Sequence, residues 1–205
     1  MRNYLLILFL ALSAFSTTAQ VGIGLTGSTE LYTRFSNPTD DIASRTSGSA
    51  LLNLGVGPKI WLGNKDFSFS LEGQAILSPL ALSLGDYKGL GMVSFPFVAR
   101  FNFKGLSGLN RLGTMGWSFG GGVQYNKSEI FGLSEDFEAQ GVTRDYQRMY
   151  VGLIGYGFGI SGFTVHGILK YGYDPDSDAS VFTFGVQYDF NLPKMKKISD
   201  PASEL

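Results

Sequence analysis

The sequence predicts an all-β chain whose eight antiparallel strands close up-and-down into a transmembrane β-barrel, and three observations predict it. Apolar and polar residues alternate with a period of two along most of the chain. Glycine is about double its usual share, at 28 of 205 residues, while charged residues are only 16%. The connections between strands are longer at one end and mostly shorter at the other, as in an up-and-down barrel of even strand number.

Residues 1–19 are set aside from the fold. Met1-Arg2-Asn3 carries one positive charge, Tyr4 to Phe15 is a nearly unbroken apolar run, and Thr17 and Ala19 place small residues before Gln20. These are the features of a cleaved secretory signal peptide. The run falls well short of the roughly twenty apolar residues a spanning helix needs. No later segment is long and apolar enough for a helical span, which leaves a barrel as the way to cross a bilayer. Sixteen Lys plus Arg balance seventeen Asp plus Glu, so there is no basic footprint for nucleic acid. The absence of Cys excludes disulfide scaffolds, thiolate zinc sites and cysteine nucleophiles, and a single His excludes a His-rich metal cluster. No cofactor and no metal are expected.

The strands are expected at about 20–35, 49–62, 67–78, 89–103, 115–126, 148–160, 163–174 and 180–191. The first two carry Glu30 and Arg34, then Lys59, on their polar faces. In the third, Phe67, Phe69, Leu71, Gly73, Ala75 and Leu77 alternate with Ser68, Ser70, Glu72, Gln74, Ile76 and Ser78. The fourth holds Arg100, and the fifth sets Trp117, Phe119, Gly121, Val123 and Tyr125 against Ser118, Gly120, Gly122, Gln124 and Asn126. Alternation is least regular in 148–160, where Val151 and Leu153 intrude on the polar face; that strand rests partly on the need to connect its neighbours. The seventh carries His166 and Lys170. The eighth splits fully, with Phe182, Phe184, Val186, Tyr188 and Phe190 on one face and Thr183, Gly185, Gln187 and Asp189 on the other. The turn at 104–114 is long for its end of the barrel.

Which face points inward follows from the cost of burial. Glu30, Arg34, Lys59, Glu72, Arg100, Lys170 and Asp189 would be expensive inside an apolar ligand cavity, whereas a hydrated or ion-paired lumen accepts them. The apolar faces therefore point outward. Their aromatic residues are ordered along the barrel: Phe67, Phe103, Trp117, Phe163 and Phe190 fall at the short-turn rim, and Tyr125, Tyr150, Tyr173 and Phe182 at the other. Two such girdles are what a bilayer selects at its interfaces.

On these residues the chain resembles the small outer-membrane β-barrel proteins of Gram-negative bacteria, of the eight-stranded OmpA/OmpX type. It is similar above all to the porin-like outer membrane protein beta-barrel family common in Bacteroidota. The likeness is carried by the leader ending at Ala19-Gln20, by the Pro-centred run Val93 to Phe103, and by Phe182 to Phe190. The resemblance implies that Phe182, Phe184, Val186, Tyr188 and Phe190 form the C-terminal signal read by the barrel-assembly machinery. It also implies an outer-membrane location, with both termini in the periplasm and outer-membrane lipid as the surroundings. Residues 20–191 form the expected barrel, and 192–205 a short disordered periplasmic tail. The resemblance is nearly silent on activity, because the family is functionally mixed.

Chemistry is sparse. A register that places His166 opposite Asp189 would give half of a hydrolytic constellation, but in the lumen near the short-turn rim the pair reads as structural, and no catalytic residues are assigned. Eight strands leave an interior just wide enough for side chains. Glu30, Lys59, Glu72, Arg100, His166, Lys170 and Asp189 are accordingly expected to form a lumen charge network, with Lys59 reaching Glu72 and Arg100 next round the wall. Asp174 to Asp178 has alternate-oxygen spacing but lacks the Gly and distal Glu of a calcium loop. Gly155, Gly157 and Gly159 lack the context of a dinucleotide site and instead make room in the lumen. Pro58 and Pro96 each predict a bulge or weakened pairing. The loop near 127–147, with Ile130, Phe131, Leu133 and Phe137, is the exposed stretch apolar enough for an interaction. The expected role is structural or interactive, with a larger outer-membrane complex as a candidate partner. A narrow gated pore, a lipid-modifying enzyme and a soluble periplasmic ligand-binding barrel are the alternatives.

Overall fold

Among the described residues, alternation of period two builds nine strands: β1 (Gln20–Ser36), β2 (Gly48–Gly63), β3 (Phe67–Gly73), β4 (Ala75–Ser83), β5 (Leu90–Lys104), β6 (Met115–Phe131), β7 (Gln147–Ile160), β8 (Phe163–Asp174) and β9 (Ala179–Leu192). The computed structural model describes residues 20–38, 47–83, 90–107, 113–131, 139, 145–160 and 162–192. The expected leader at 1–19 and the tail beyond Leu192 lie outside the described residues. All pairings are antiparallel, and β1 bonds to β9 on one side and β2 on the other, closing the ring. β3 and β4 occupy one place in the wall, both between β2 and β5. The nine strands thus make the eight staves of a closed, all-β, antiparallel barrel.

The expected strand 67–78 is therefore corrected to two pieces, and two prolines explain the break. On β2 the ladder passes from Lys59↔Glu72 to Val56↔Ala75, leaving Gly57 and Pro58 between them. On β5 it passes from Gly73↔Phe97 to Ile76↔Ser94, leaving Phe95 and Pro96. Proline has no N–H to give a ladder, and Pro96 falls level with Gln74 while Pro58 falls level with its neighbour Gly73. There one bond remains, from Gln74 N to Pro96 O at 3.0 Å. The alternation survives the break, since Ser68, Ser70, Glu72, Ile76 and Ser78 all stay buried in the lumen.

A second irregularity overturns one assignment. The β1–β2 register skips from Glu30↔Asn53 to Tyr32↔Leu51, so Leu31 and Leu52 are extra residues on facing strands. Leu52 takes a left-handed φ of 53°, the conformation that lets a bulge add one residue. Beyond it both strands change phase: Thr33 and Ala50 are buried and Arg34 is exposed. Arg34 is thus outside the barrel and not among the lumen charges.

β7 explains its irregular pattern, because both of its faces are apolar. Met149, Val151 and Leu153 are buried inward, while Tyr150, Ile154, Tyr156, Phe158 and Ile160 are exposed outward. Val151 and Leu153 pack with Val98, and Met149 with Ala179 and Val181. The lumen is accordingly not polar throughout; part of it is filled by hydrocarbon. β6 also runs further than expected, so Ile130 and Phe131 belong to a strand rather than to the loop, and Leu133 and Phe137 lie outside the described residues.

At the short-turn rim the outward rings pair across strands, Phe67 with Phe103 at 5.3 Å between centroids, Trp117 with Tyr156 at 4.3 Å and Phe163 with Phe190 at 4.8 Å. At the opposite rim Tyr150 faces Tyr173. The turn after β5 folds under the barrel: Leu106 is only 1% exposed, its N–H bonding to Phe103 O, and Ser107 Oγ donates to Lys65 O. The first residues of the 104–114 connection thus pack against the short-turn end of the barrel.

Inward glycines admit large neighbours, and Gly22 is the sharpest case, since a Cβ there would overlap the buried Trp61 indole. Gly22→Val is expected to cost about 1–3 kcal/mol through overpacking. Gly152→Ala, where a Cβ meets nothing within 4 Å, should stay within about 0.5 kcal/mol of the parent. Urea unfolding from lipid vesicles checks both, and equal stabilities for all three proteins would mean that Trp61 does not need the space.

Candidate functional site: the charged lumen

Inward positions on four strands bring one set of charges together. Arg100 on β5 has no exposed surface. Its Nη2 lies 2.7 Å from Glu72 Oε1 on β3 and 2.6 Å from Asp189 Oδ2 on β9. Lys59 on β2 bridges the same two acids, at 2.8 Å to Asp189 Oδ2 and 3.4 Å to Glu72 Oε1. The two cations and two carboxylates cancel, which is the condition for keeping charge away from water. Gly120 stands opposite Arg100 on β6 and lets the two strands approach closely, since a Cβ there would press on Ala99 O and on the Arg100 Cα and Cβ.

Neutral donors complete the carboxylates. Gln187 Nε2 gives to Glu72 Oε2 at 2.8 Å and to Asp189 Oδ1 at 3.0 Å, Ser70 Oγ to Glu72 Oε1 at 2.8 Å, and Thr164 Oγ1 to Asp189 Oδ2 at 3.1 Å. A second pair lies apart from these: Lys170 Nζ is 2.7 Å from Glu30 Oε1, and Glu30 Oε2 accepts from Thr33 Oγ1 and Asn53 Nδ2, each at 3.2 Å. All seven residues expected in the lumen network are buried. Six of them form these two clusters, and His166 joins through Arg100.

His166 does not face Asp189. The β8–β9 ladder pairs His166 with Gln187, and Asp189 with Thr164, two residues from the expected register. The cause is the turn: Asp174 pairs with Ala179 rather than Val181, so the hairpin closes two residues earlier on β9. Asp174 holds that turn by accepting from Asp176 N, Ser177 Oγ and Gln147 Nε2, and the Tyr173 hydroxyl donates to Asp178. The Asp174, Ser177 and Asp178 oxygens of that segment are engaged within the hairpin. Arg100 Nη1 stands 2.6 Å from His166 Nε2. A guanidinium can only donate, so Nε2 accepts and the ring proton lies on Nδ1. The imidazole is oriented by a cation instead of a carboxylate, the reverse of what a general base in a hydrolytic triad requires.

Gln187, Thr164 and Ser70 were legible only as members of a polar face, because their partners depend on register. Leu106 gave no signal, since nothing local distinguishes a turn that folds under a barrel from one that projects away. The outward positions of Phe182, Phe184 and Phe190 are exposed and those of Val186 and Tyr188 half-buried, so the five residues form one continuous apolar ridge on β9.

No protein-family model matches the chain, and neither does any curated protein sequence. Among solved structures it is similar to Neisserial surface protein A, with a TM-score of 0.47 and 8% identity over 85% of this chain and 99% of that one. It is also similar to the outer membrane protein OprG from Pseudomonas aeruginosa, with 0.44 and 13% over 84% and 95%. A third is Ail, the attachment invasion locus protein of Yersinia pestis, with 0.44 and 13% over 84% and 97%.

Removing one partner of a buried ion cluster strands the others. Arg100→Met is therefore expected to destabilise the barrel by about 3–5 kcal/mol, leaving Lys59 to balance two carboxylates. The change is read by urea titration of the vesicle-embedded chain. A loss below about 1 kcal/mol, the range of exposed pairs, would show that water reaches the cluster and screens it.

Proposed function

We propose that the chain is an integral outer-membrane barrel without catalytic activity, its lumen closed by ion pairs, which serves a structural or interaction role as an accessory to a larger outer-membrane assembly. The observation that carries the closed lumen is Arg100, wholly buried and tied to acids on both sides of the barrel interior. The membrane setting is supported by the inverted burial. Val21, Leu54, Val56, Ile23 and Trp117 are all more than half exposed, on a surface too continuously apolar for water. Aromatic residues at both rims fit the two interfaces.

The strand ends at Gln20 and Leu192 share the short-turn rim, which in this reading is periplasmic, with the long connections on the outside of the cell. The same reading makes the ridge Phe182 to Phe190 the segment handled by the barrel-assembly machinery. A non-enzymatic role is supported by His166, whose Nε2 is occupied by Arg100 within the lumen. The connections between strands are where recognition would reside on such a scaffold.

In planar bilayers the purified chain is expected to give no discrete conductance steps, and on gels to run faster unheated than boiled. In mild-detergent extracts of its native membrane it should migrate within a complex much larger than itself. Conductance that changes when Arg100 or Glu72 is neutralised would replace the closed lumen by a narrow pore. Migration as a lone barrel would remove the accessory role, and recovery without detergent would remove the membrane setting.

A further inference from the structure

The outer wall is indented on one side. Ala99 on β5 pairs with Gly121 on β6, and Gly121 with Gly152 on β7, so three small residues stand in one row across the wall. A Cβ on Gly152 would meet no atom within 4 Å. Towards β8 and β9 the indentation continues as a shallow, open groove bordered by Tyr150, Ile154, Leu169, Tyr171 and Phe182.

The same wall ends, at the long-connection rim, in two cations. Two residues above Tyr150 on the same face of β7 stands Arg148, its guanidinium 5.4 Å from the Tyr150 ring centre. Tyr125 faces Arg148 across the ladder. Further along β6, Lys127 Nζ lies 5.6 Å from the ring centre of Tyr146, which packs against Phe95. The aromatic faces hold both cations in place at the rim of the wall that carries the groove. Among the described residues the acids nearby are Asp145, the buried Glu129 two residues beyond Lys127 on β6, and, beyond Tyr173, Asp178, which accepts the Tyr173 hydroxyl. From Arg148 to Gly152 is roughly 13 Å along the strand at about 3.3 Å per residue. A head group held at the rim thus stands above an acyl chain in the groove.

We propose that this face binds a phosphate-bearing membrane lipid, with Arg148 and Lys127 taking the phosphate and one acyl chain lying over Gly152. A guanidinium fork matches phosphate oxygens, and the ammonium adds a point charge. The apolar groove matches the chain, and the pairing of cations with groove selects an anionic lipid over a zwitterionic one. The inference rests on the reading of the wall as bilayer-facing.

The test is native mass spectrometry of the full exported chain released from nanodiscs of equal phosphatidylglycerol and phosphatidylcholine. The parent should retain phosphatidylglycerol several-fold over phosphatidylcholine. K127Q/R148Q should lose that preference. Gly152→Leu, which fills the groove and leaves both cations, should lower retention several-fold, while K104Q, an exposed cation at the opposite rim, should leave it unchanged. The heat-dependent gel shift confirms that each variant is folded. Equal retention of the two lipids by the parent overturns the proposal, as does full retention by Gly152→Leu, which would show diffuse attraction without a groove. Failure of the parent to enter nanodiscs would instead overturn the membrane reading, and this inference with it.

Discussion

Closure of β1 onto β9 governs the rest of the molecule. An open sheet could leave its polar edge in water, but a wall facing hydrocarbon has to satisfy every backbone group within itself, and a ring does so without an edge. Closing the ring at eight staves also sets the bore. The interior is then only wide enough for side chains, so whatever points inward has to pack against whatever else points inward. Glu72, Arg100 and Asp189 come from separate parts of the chain, and the ring leaves them no place to go but against one another.

The same constraint explains where the wall gives way. A closed ladder tolerates proline poorly, and here Pro58 and Pro96 fall on either side of the neighbours Gly73 and Gln74, so two losses are concentrated in a single break. The break is put to use: Gln74 accepts from Ser28 Oγ at 2.8 Å and donates to Thr26 Oγ1 at 3.2 Å, reaching β1 past Gly55 and Gly57. The interior is layered as a result. Charge is cancelled in one cluster around Arg100 and another at Lys170 and Glu30, while Val98, Val151, Leu153, Met149 and Val181 fill space without charge.

Most of the barrel was legible because a strand's two faces differ by a single step in sequence. The split in Phe182 to Phe190 and in Phe67 to Ser78 assigns inside and outside without knowledge of any neighbour. That logic failed where the step was interrupted. At Leu31 and Leu52 an extra residue on each strand moved Arg34 from the lumen to the outside, and no composition rule marks two leucines as a bulge. It was also obscured in β7, where hydrocarbon on both faces leaves no contrast to read.

Within the candidate site, the sequence by itself determined which side chains would be in the lumen, since parity along each strand is a local property, and that their charges would need partners. Only the tertiary structure decided which partners. Register and shear depend on how each hairpin closes, and the turn held by Asp174 moved β9 by two residues against His166. Asp189 thereby met Thr164 across the ladder, and Arg100 came to stand between Asp189 and the imidazole. The inward burial of Leu106 and the adjacency of Arg148, Tyr150 and the groove over Gly152 were decided in the same way. Period-two patterning specifies a direction for each residue, whereas a contact needs two directions and a register, and the register exists only once the ring is closed.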